Sequence, residues 1–300
     1  MRDRMWASVQ AAQDEICAGL AALEGADFEQ TSWERPGGGG GRSRLIQDGH
    51  VIEKGGVNVS AVHGELGQDA AKAMSARGVD TSDRRFFATG LSLVIHPVNP
   101  FAPTVHANYR YFELGAGNAP AAWWFGGGAD LTPSYLFEED AVHFHRVLKE
   151  LCDRHDPAFH ARFKAWCDDY FFVKHRGEAR GLGGIFYDDL HDRPAPQLAA
   201  LAEDGLRSFL PGYLPILERR KGTPYTEAQR IWQRIRRGRY VEFNLVWDRG
   251  THFGLRTDAR VESVLMSLPL NAMWVTGHEP ESGSPEADIV AILKAPRDWV

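Results

Sequence analysis

An α+β fold, built as a large, mainly antiparallel sheet flanked by helical layers in a single domain of residues 1–300, is what this sequence predicts. Three observations predict it. The strand-like stretches alternate polar with apolar residues instead of running apolar throughout, the pattern of a sheet whose two faces differ. Strands and helices do not alternate as they do in βαβ units. The two clearest strands are joined by a connection, His96 to Pro103, that is too short for a crossover helix.

Those two strands lie within LSLVIHPVNPFAPTVHANYRYFE, residues 91 to 113. With a period of two, Leu91, Leu93 and Ile95 share one face and Ser92, Val94 and His96 the other. After the proline-rich break, Val105, Ala107, Tyr109 and Tyr111 fall on one face and Thr104, His106, Asn108 and Arg110 on the other. Ser92, His96, His106, Asn108 and Arg110 can therefore line a single surface. Such residues make poor core but a good floor for an anionic ligand.

In chain order, Trp6, Val9, Ile16, Leu20 and Leu23 recur at helical spacing, so about Arg4 to Leu23 reads as a helix stopped by Gly25. PGGGGGRSRLI follows, with Arg42 and Arg44. It is not a Walker loop, and it stays open as a surface loop or as a lid or anion clamp. GGVNVSAVHG reads as a strand with Asn58 and Ser60 on its polar side. WWFGGGADLTP reads as a strand entering a turn beside the pocket, with Asp130 in it. Leu136 to Arg154 carries a helical stripe with His145 beside it. A second helix bears Phe159, Phe163, Trp166 and Tyr170 and runs towards His175, Arg176 and Arg180. GLGGIFYDDL reads as a strand. From about Pro196 to Arg237 the pattern is helical, with breaks at Pro211, Gly212 and residues 222 to 224. Tyr240 to Trp247 reads as another strand with one polar face, and Ser284 and Pro285 open a last helix stopped by Pro296.

Composition narrows the function. With 34 Lys plus Arg against 40 Asp plus Glu the net charge is -6, so no global positive field recruits nucleic acid, and an anion must be held by local arginines. The three cysteines, Cys17, Cys152 and Cys167, fit neither CxxC nor a disulfide framework, which points to a reducing compartment. The N-terminus has no apolar signal region, and no stretch is long enough to span a bilayer. A soluble, cytoplasmic protein is expected. There is no GxGxxG after a strand, no nucleophile elbow and no iron–sulfur cysteine set, which disfavours dinucleotide redox enzymes, α/β-hydrolases and radical enzymes.

Four histidines, His96, His106, His145 and His175, could converge on a divalent cation or act separately in hydrogen bonding and acid/base work. Arg110 either meets a carboxylate of a ligand or pairs internally with Asp130 or Asp248. Asp248, beside Arg249 and Gly250, reads as a catalytic loop position or as a turn-stabilising ion pair.

The runs GGGGRSR, GVNVSAVHG, SLVIHPVNPFAPTVHANYRYFE, WWFGGGADLTPSYLFEEDAVHFH, WCDDYFFVKHRGEARGLGGIFYDDL and RGRYVEFNLVWDRGTHFGL resemble the oxygen-dependent coproporphyrinogen III oxidase family. The resemblance runs from the first helix to the terminal RDWV. It implies oxidative decarboxylation of two propionates of coproporphyrinogen III to vinyl groups, with O2 as co-substrate, no flavin, NAD or haem, and CO2 and peroxide as products. It implies that His106 is the proton donor, and that Ser92, Asn108, Tyr109, Arg110, Asp258, Ala259 and Arg260 contact substrate. It further implies that His96, His106, His145 and His175 are positions for an optional divalent metal such as manganese, and that the protein is a homodimer with residues 240–275 at the interface. On this reading Asp248 or His106 assists proton removal from a pyrrole N–H, Arg110 and Arg260 orient propionates, and Asp130 bonds other pyrrole N–H groups. A tetrapyrrole-binding carrier and a metal-dependent hydrolase are the competing readings.

Overall fold

The structure, a computed structural model, describes residues 1–76, 78–115, 120–256 and 260–300. Helix α1 (Arg2–Glu24) buries Met5, Val9, Ile16 and Leu20 on one stripe, and it ends where Gly25 turns left-handed at φ 80. The chain then enters β1 (Glu29–Glu34), β2 (Gly39–Gln47) and β3 (Ile52–Glu65), passes through α2 (Gln68–Ser75), and continues as β4 (Arg85–Pro97), β5 (Thr104–Leu114) and β6 (Ala122–Thr132). Helices α3 (Glu138–Asp153) and α4 (Phe159–Tyr170) precede a small hairpin of β7 (Phe172–Val173) and β8 (Glu178–Ala179), and β9 (Gly184–Leu190) returns to the sheet. The remainder is helical: α5 (Ala195–Arg220), α6 (Glu227–Val246), α7 (Arg249–Arg256), α8 (Val261–Leu265) and α9 (Pro285–Lys294).

The sheet has seven strands in the order β1-β2-β3-β4-β5-β6-β9, and every neighbouring pair is antiparallel. Together with the flanking helices this makes the fold α+β. Leu91, Leu93, Ile95, Val105, Ala107 and Tyr109 project from one face into the main core, where they meet α1 and α5. Gln13 of α1 pins that helix to the sheet by donating to the carbonyls of Val57 (2.7 Å) and Arg42 (2.9 Å). The other face carries a smaller aromatic cluster of Phe171, Phe186 and Phe243.

Three expectations change. Tyr240 to Val246 belong to helix α6, which Trp247 caps, and not to a strand. Thr226 and Gln229 form a capping box that starts this helix, and Trp232, Arg236, Tyr240 and Phe243 are buried at helical spacing along it. The two-residue alternation there is incidental, for Leu245 is left exposed. Pro211 and Gly212 do not break α5, which runs through both Pro211 and Pro215. Only the start of the glycine run is a loop, Pro36 to Gly38 making the turn between β1 and β2. Gly39 to Gly41 begin β2, and a Cβ on Gly41 would stand 2.4 Å from the Trp33 ring, so only glycine lets that indole lie across the strand. Arg42 and Arg44 both pair with Asp14 on the α1 side, away from the polar floor.

Candidate active site

The parity of the strands builds the floor. Ser43 of β2, Asn58 of β3, Ser92 of β4 and Asn108 of β5 are paired in register and form one polar row across four strands. The adjacent row holds Val94, His106 and Asp130. An arginine stands at each end of the first row. Arg110 donates from Nη1 to Asn108 Oδ1 (2.7 Å), and Arg260 donates from Nη1 to Ser43 Oγ (3.3 Å). Three strand spacings separate β2 from β5, so Ser43 and Asn108, the groups these arginines bond, stand roughly 14 Å apart.

Arg110 can lie over β6 because its neighbour is Gly126, where a Cβ would come within 2.6 Å of Arg110 Nε. Its Nη2 donates to Asp188 Oδ1 at 2.7 Å. Asp188, and neither Asp130 nor Asp248, is therefore its internal partner. Both groups remain partly exposed, so the pair is accessible to an incoming carboxylate.

His106 meets Asp130 through Nδ1 at 2.8 Å, and Nε2 has no partner among the described residues. Asp130 is 1% exposed, and Arg180 Nη2 donates to both its oxygens, at 2.8 and 2.7 Å. Burial alone would raise this carboxyl, but the charge of Arg180 and the bond to His106 outweigh it and hold it below the usual carboxylate range. Arg180 and His106 between them engage both Asp130 oxygens. Asp248 accepts from Tyr170 Oη (2.7 Å) and from both the backbone N–H and Oγ1 of Thr251 (2.7 Å each). These bonds offset burial and keep it ionised, and they make it a cap for α7.

The four histidines stand in separate settings. His96 is fully buried between Thr104 Oγ1 (3.1 Å at Nδ1) and the Ser267 carbonyl (2.9 Å at Nε2), and burial followed by the nearby Arg237 charge holds it well below the usual imidazole range. His145 bonds the Leu182 carbonyl through Nε2 at 3.1 Å, and burial lowers it to about 3. His175 spends Nε2 on Glu242 (2.7 Å) and accepts from Trp247 at Nδ1 (2.9 Å). Among the described residues no three His, Cys, Asp or Glu side chains are gathered to hold a metal ion. The donor set as it stands does not fit a shared cation, since two of the four rings have both nitrogens committed.

Tyr109 follows the strand parity read from the sequence. It lies on the apolar parity of β5, 1% exposed in the main core, where the space beside Gly205 is taken by its ring. Its side chain faces away from the floor. Asp258 and Ala259 lie outside the described residues. Around the site, α8 and the residues after it cover the β2–β4 end. The Ser263 carbonyl accepts from Asn58 (3.3 Å), and the Ser263 and Ser43 hydroxyls are 3.4 Å apart. Two cavities, of about 460 and 590 Å³, lie away from this floor, by Trp6, Gln10 and Arg42 and by Asp168, Phe172 and Lys174. His106, Arg110 and Asp188 keep part of their side chains open to solvent, at 21%, 37% and 20% exposure.

Sequence reasoning missed Asp188, Asn244 and Ser267, and gave Arg180 no role. Periodicity carries no signal for them, because each reaches the site from a strand end, a helix or a turn distant in sequence.

An antiparallel floor with a guanidinium at either end and one imidazole backed by an ionised carboxylate has the chemistry for acid–base work on a broad, carboxylate-bearing ligand. The family model described as Coproporphyrinogen III oxidase matches residues 4–299. The chain is 53% identical over its whole length to a chloroplastic oxygen-dependent coproporphyrinogen-III oxidase of Glycine max, covering 80% of that protein. It is 51% identical over its whole length to the mitochondrial oxygen-dependent enzyme of Homo sapiens, covering 67% of it. A third relative, from Drosophila melanogaster, is 52% identical, with 78% of its length covered. The chain belongs to the coproporphyrinogen III oxidase family, whose named members are oxygen-dependent enzymes of haem and porphyrin biosynthesis.

Proposed function

We propose that this chain catalyses the oxygen-dependent oxidative decarboxylation of coproporphyrinogen III, converting two propionates to vinyl groups to give protoporphyrinogen IX. For each propionate, one O2 takes up the two electrons and two protons that leave the side chain. One CO2 and one peroxide are released. The observation that carries this reading is the polar row ending in Arg110 and Arg260, with His106 beside it. Two propionates of a flat tetrapyrrole would sit at the guanidinium ends, over Ser92 and Asn108. His106 Nε2 would first take a proton at the reacting ring and then return it as the proton donor, with Asp130 steadying the imidazolium in between. Asp258 and Ala259 precede Arg260 and join the same contact on the family resemblance. Tyr109 would serve by shaping β5 from below.

The family match over residues 4–299 supports one catalytic domain spanning 1–300. A homodimer joined through about residues 240–275 is supported by Leu245, Val246, Leu255, Val261, Trp274 and Val275, which stand exposed in that stretch. The liability there is apolar surface rather than an open strand edge. Light scattering that returns only a 33.5 kDa species at micromolar concentration would exclude the dimer. Cytoplasmic residence accords with three buried, unpaired cysteines. Among the described residues no helix is long and apolar enough to cross a membrane. An optional divalent metal such as manganese rests on the family resemblance alone, since the four histidines as placed do not share a donor set.

The test is to incubate purified protein with coproporphyrinogen III in air and under argon. Vinyl product in air alone is expected. Tight binding without product in air would overturn the assignment in favour of a carrier.

A further inference from the structure

We infer that Arg180 is a positioning residue for the reaction: by gripping both oxygens of Asp130 it fixes the acceptor for the His106 Nδ1–H and so keeps Nε2 of that ring turned out as the working nitrogen. The inference rests on the proposed role of His106. Arg180 is 3% exposed and follows directly on β8. Its guanidinium is walled by Phe171, Tyr240 and Phe243, with ring centroids 4.1, 4.5 and 4.9 Å away. Nη1 donates to Asn244 Oδ1 at 2.8 Å, and Asn244 in turn donates to Ser267 Oγ at 3.2 Å. Arg180 therefore has one pose, and so does Asp130.

A buried ion pair is weak evidence of stabilisation, because apolar residues of similar volume usually do as well. The Nε of Arg180 is left buried without a partner among the described residues, as is Nε of Arg237, so what sets Arg180 apart is where its other nitrogens lead. The other buried arginines of this region end on scaffold: Arg236 on Glu178, and Arg237 on Glu53 and the Pro97 carbonyl. Arg180 alone of these three leads, through one carboxylate, to an imidazole on the floor. A neutral imidazole carries one ring proton, and the partner of one nitrogen decides the state of the other. An acceptor fixed at Nδ1 selects the Nδ1–H form. If Asp130 were free to turn, both forms would be populated and part of the enzyme would present the wrong nitrogen.

The experiment uses the full chain with 15N-labelled histidine, recorded at a pH where the rings are neutral, beside steady-state kinetics. The wild type is expected to show the His106 resonances, assigned by their loss in His106→Gln, as the Nδ1–H form. Arg180→Gln should shift them towards a tautomer mixture and lower kcat about 10- to 100-fold with KM within about threefold. Arg180→Lys keeps the buried charge but not the fork, so it should fall between the two, and it carries the test if Arg180→Gln does not fold. A folded variant with unchanged His106 resonances, or one that loses KM instead of kcat, overturns the inference. His106→Gln with wild-type turnover would instead overturn the role of His106 itself, which separates the two failures.

Discussion

The two faces of β5 share one backbone and differ by a single step of parity. Below, Val105, Ala107 and Tyr109 are at most 1% exposed and are held by shape. Above, His106, Asn108 and Arg110 are half-buried, and each is held by a named polar partner. The lower face is defended by volume and the upper by hydrogen bonding. Substitutions on the two faces should therefore fail in different ways, which gives the means to break the comparison.

The largest effect on the fold is expected below the sheet. Tyr109→Ala should cost about 3–5 kcal/mol of stability in urea unfolding, as loss of a buried aromatic ring does, while turnover per folded molecule changes little. Loss of substrate affinity in folded Tyr109→Ala would mean that this side chain reaches the ligand after all. On the upper face, Arg110→Ala should change stability by less than about 1 kcal/mol, since its pair with Asp188 is partly exposed. Its KM should rise by about 10- to 100-fold, the measure of a lost charge-assisted bond to a carboxylate. If KM stays at the wild-type value, Arg110 serves Asp188 alone.

The smallest effect lies at the rim. Burial would raise the Glu242 carboxyl, but bonds from Arg176 and His175 and the charge of Arg239 pull it down to about 2. A carboxyl lowered on folding stabilises above its unfolded range and loses that contribution as pH falls towards its folded value. The stability supplied by Glu242 should be complete above about pH 5 and should fade towards pH 2, by about 1 kcal/mol or less after solvent screening. Melting curves of Glu242→Gln across that range should be flatter than those of the wild type. Parallel curves would assign the acid limb to other carboxylates.

The sequence made the upper face legible because strand parity is a local property. Ser92, His106, Asn108 and Arg110 fall on one side of the sheet whatever the rest of the chain does. Parity also places Tyr109 on the other side, and only the family resemblance set it among the substrate contacts. Helix α6 was misread because eight residues can satisfy a two-residue and a 3.6-residue period at once, and the deciding signal, the capping box at Thr226, sits fourteen residues upstream of Tyr240. Partners were the least legible feature. The carboxylate that holds Arg110 and the arginine that holds Asp130 come from β9 and from the residue after β8, and nothing in local sequence ties them to β5.

The central claim is that one imidazole works on the floor while the other three are held elsewhere. Four variants, His96→Ala, His106→Ala, His145→Ala and His175→Ala, assayed at matched pH with metal analysis of each and with chelator added to the wild type, test it most directly. His106→Ala should lose about 10²- to 10⁴-fold in kcat, the other three should lose less than about tenfold per folded molecule, and chelator should do little. Equal losses in all four variants together with stoichiometric bound metal would contradict the account.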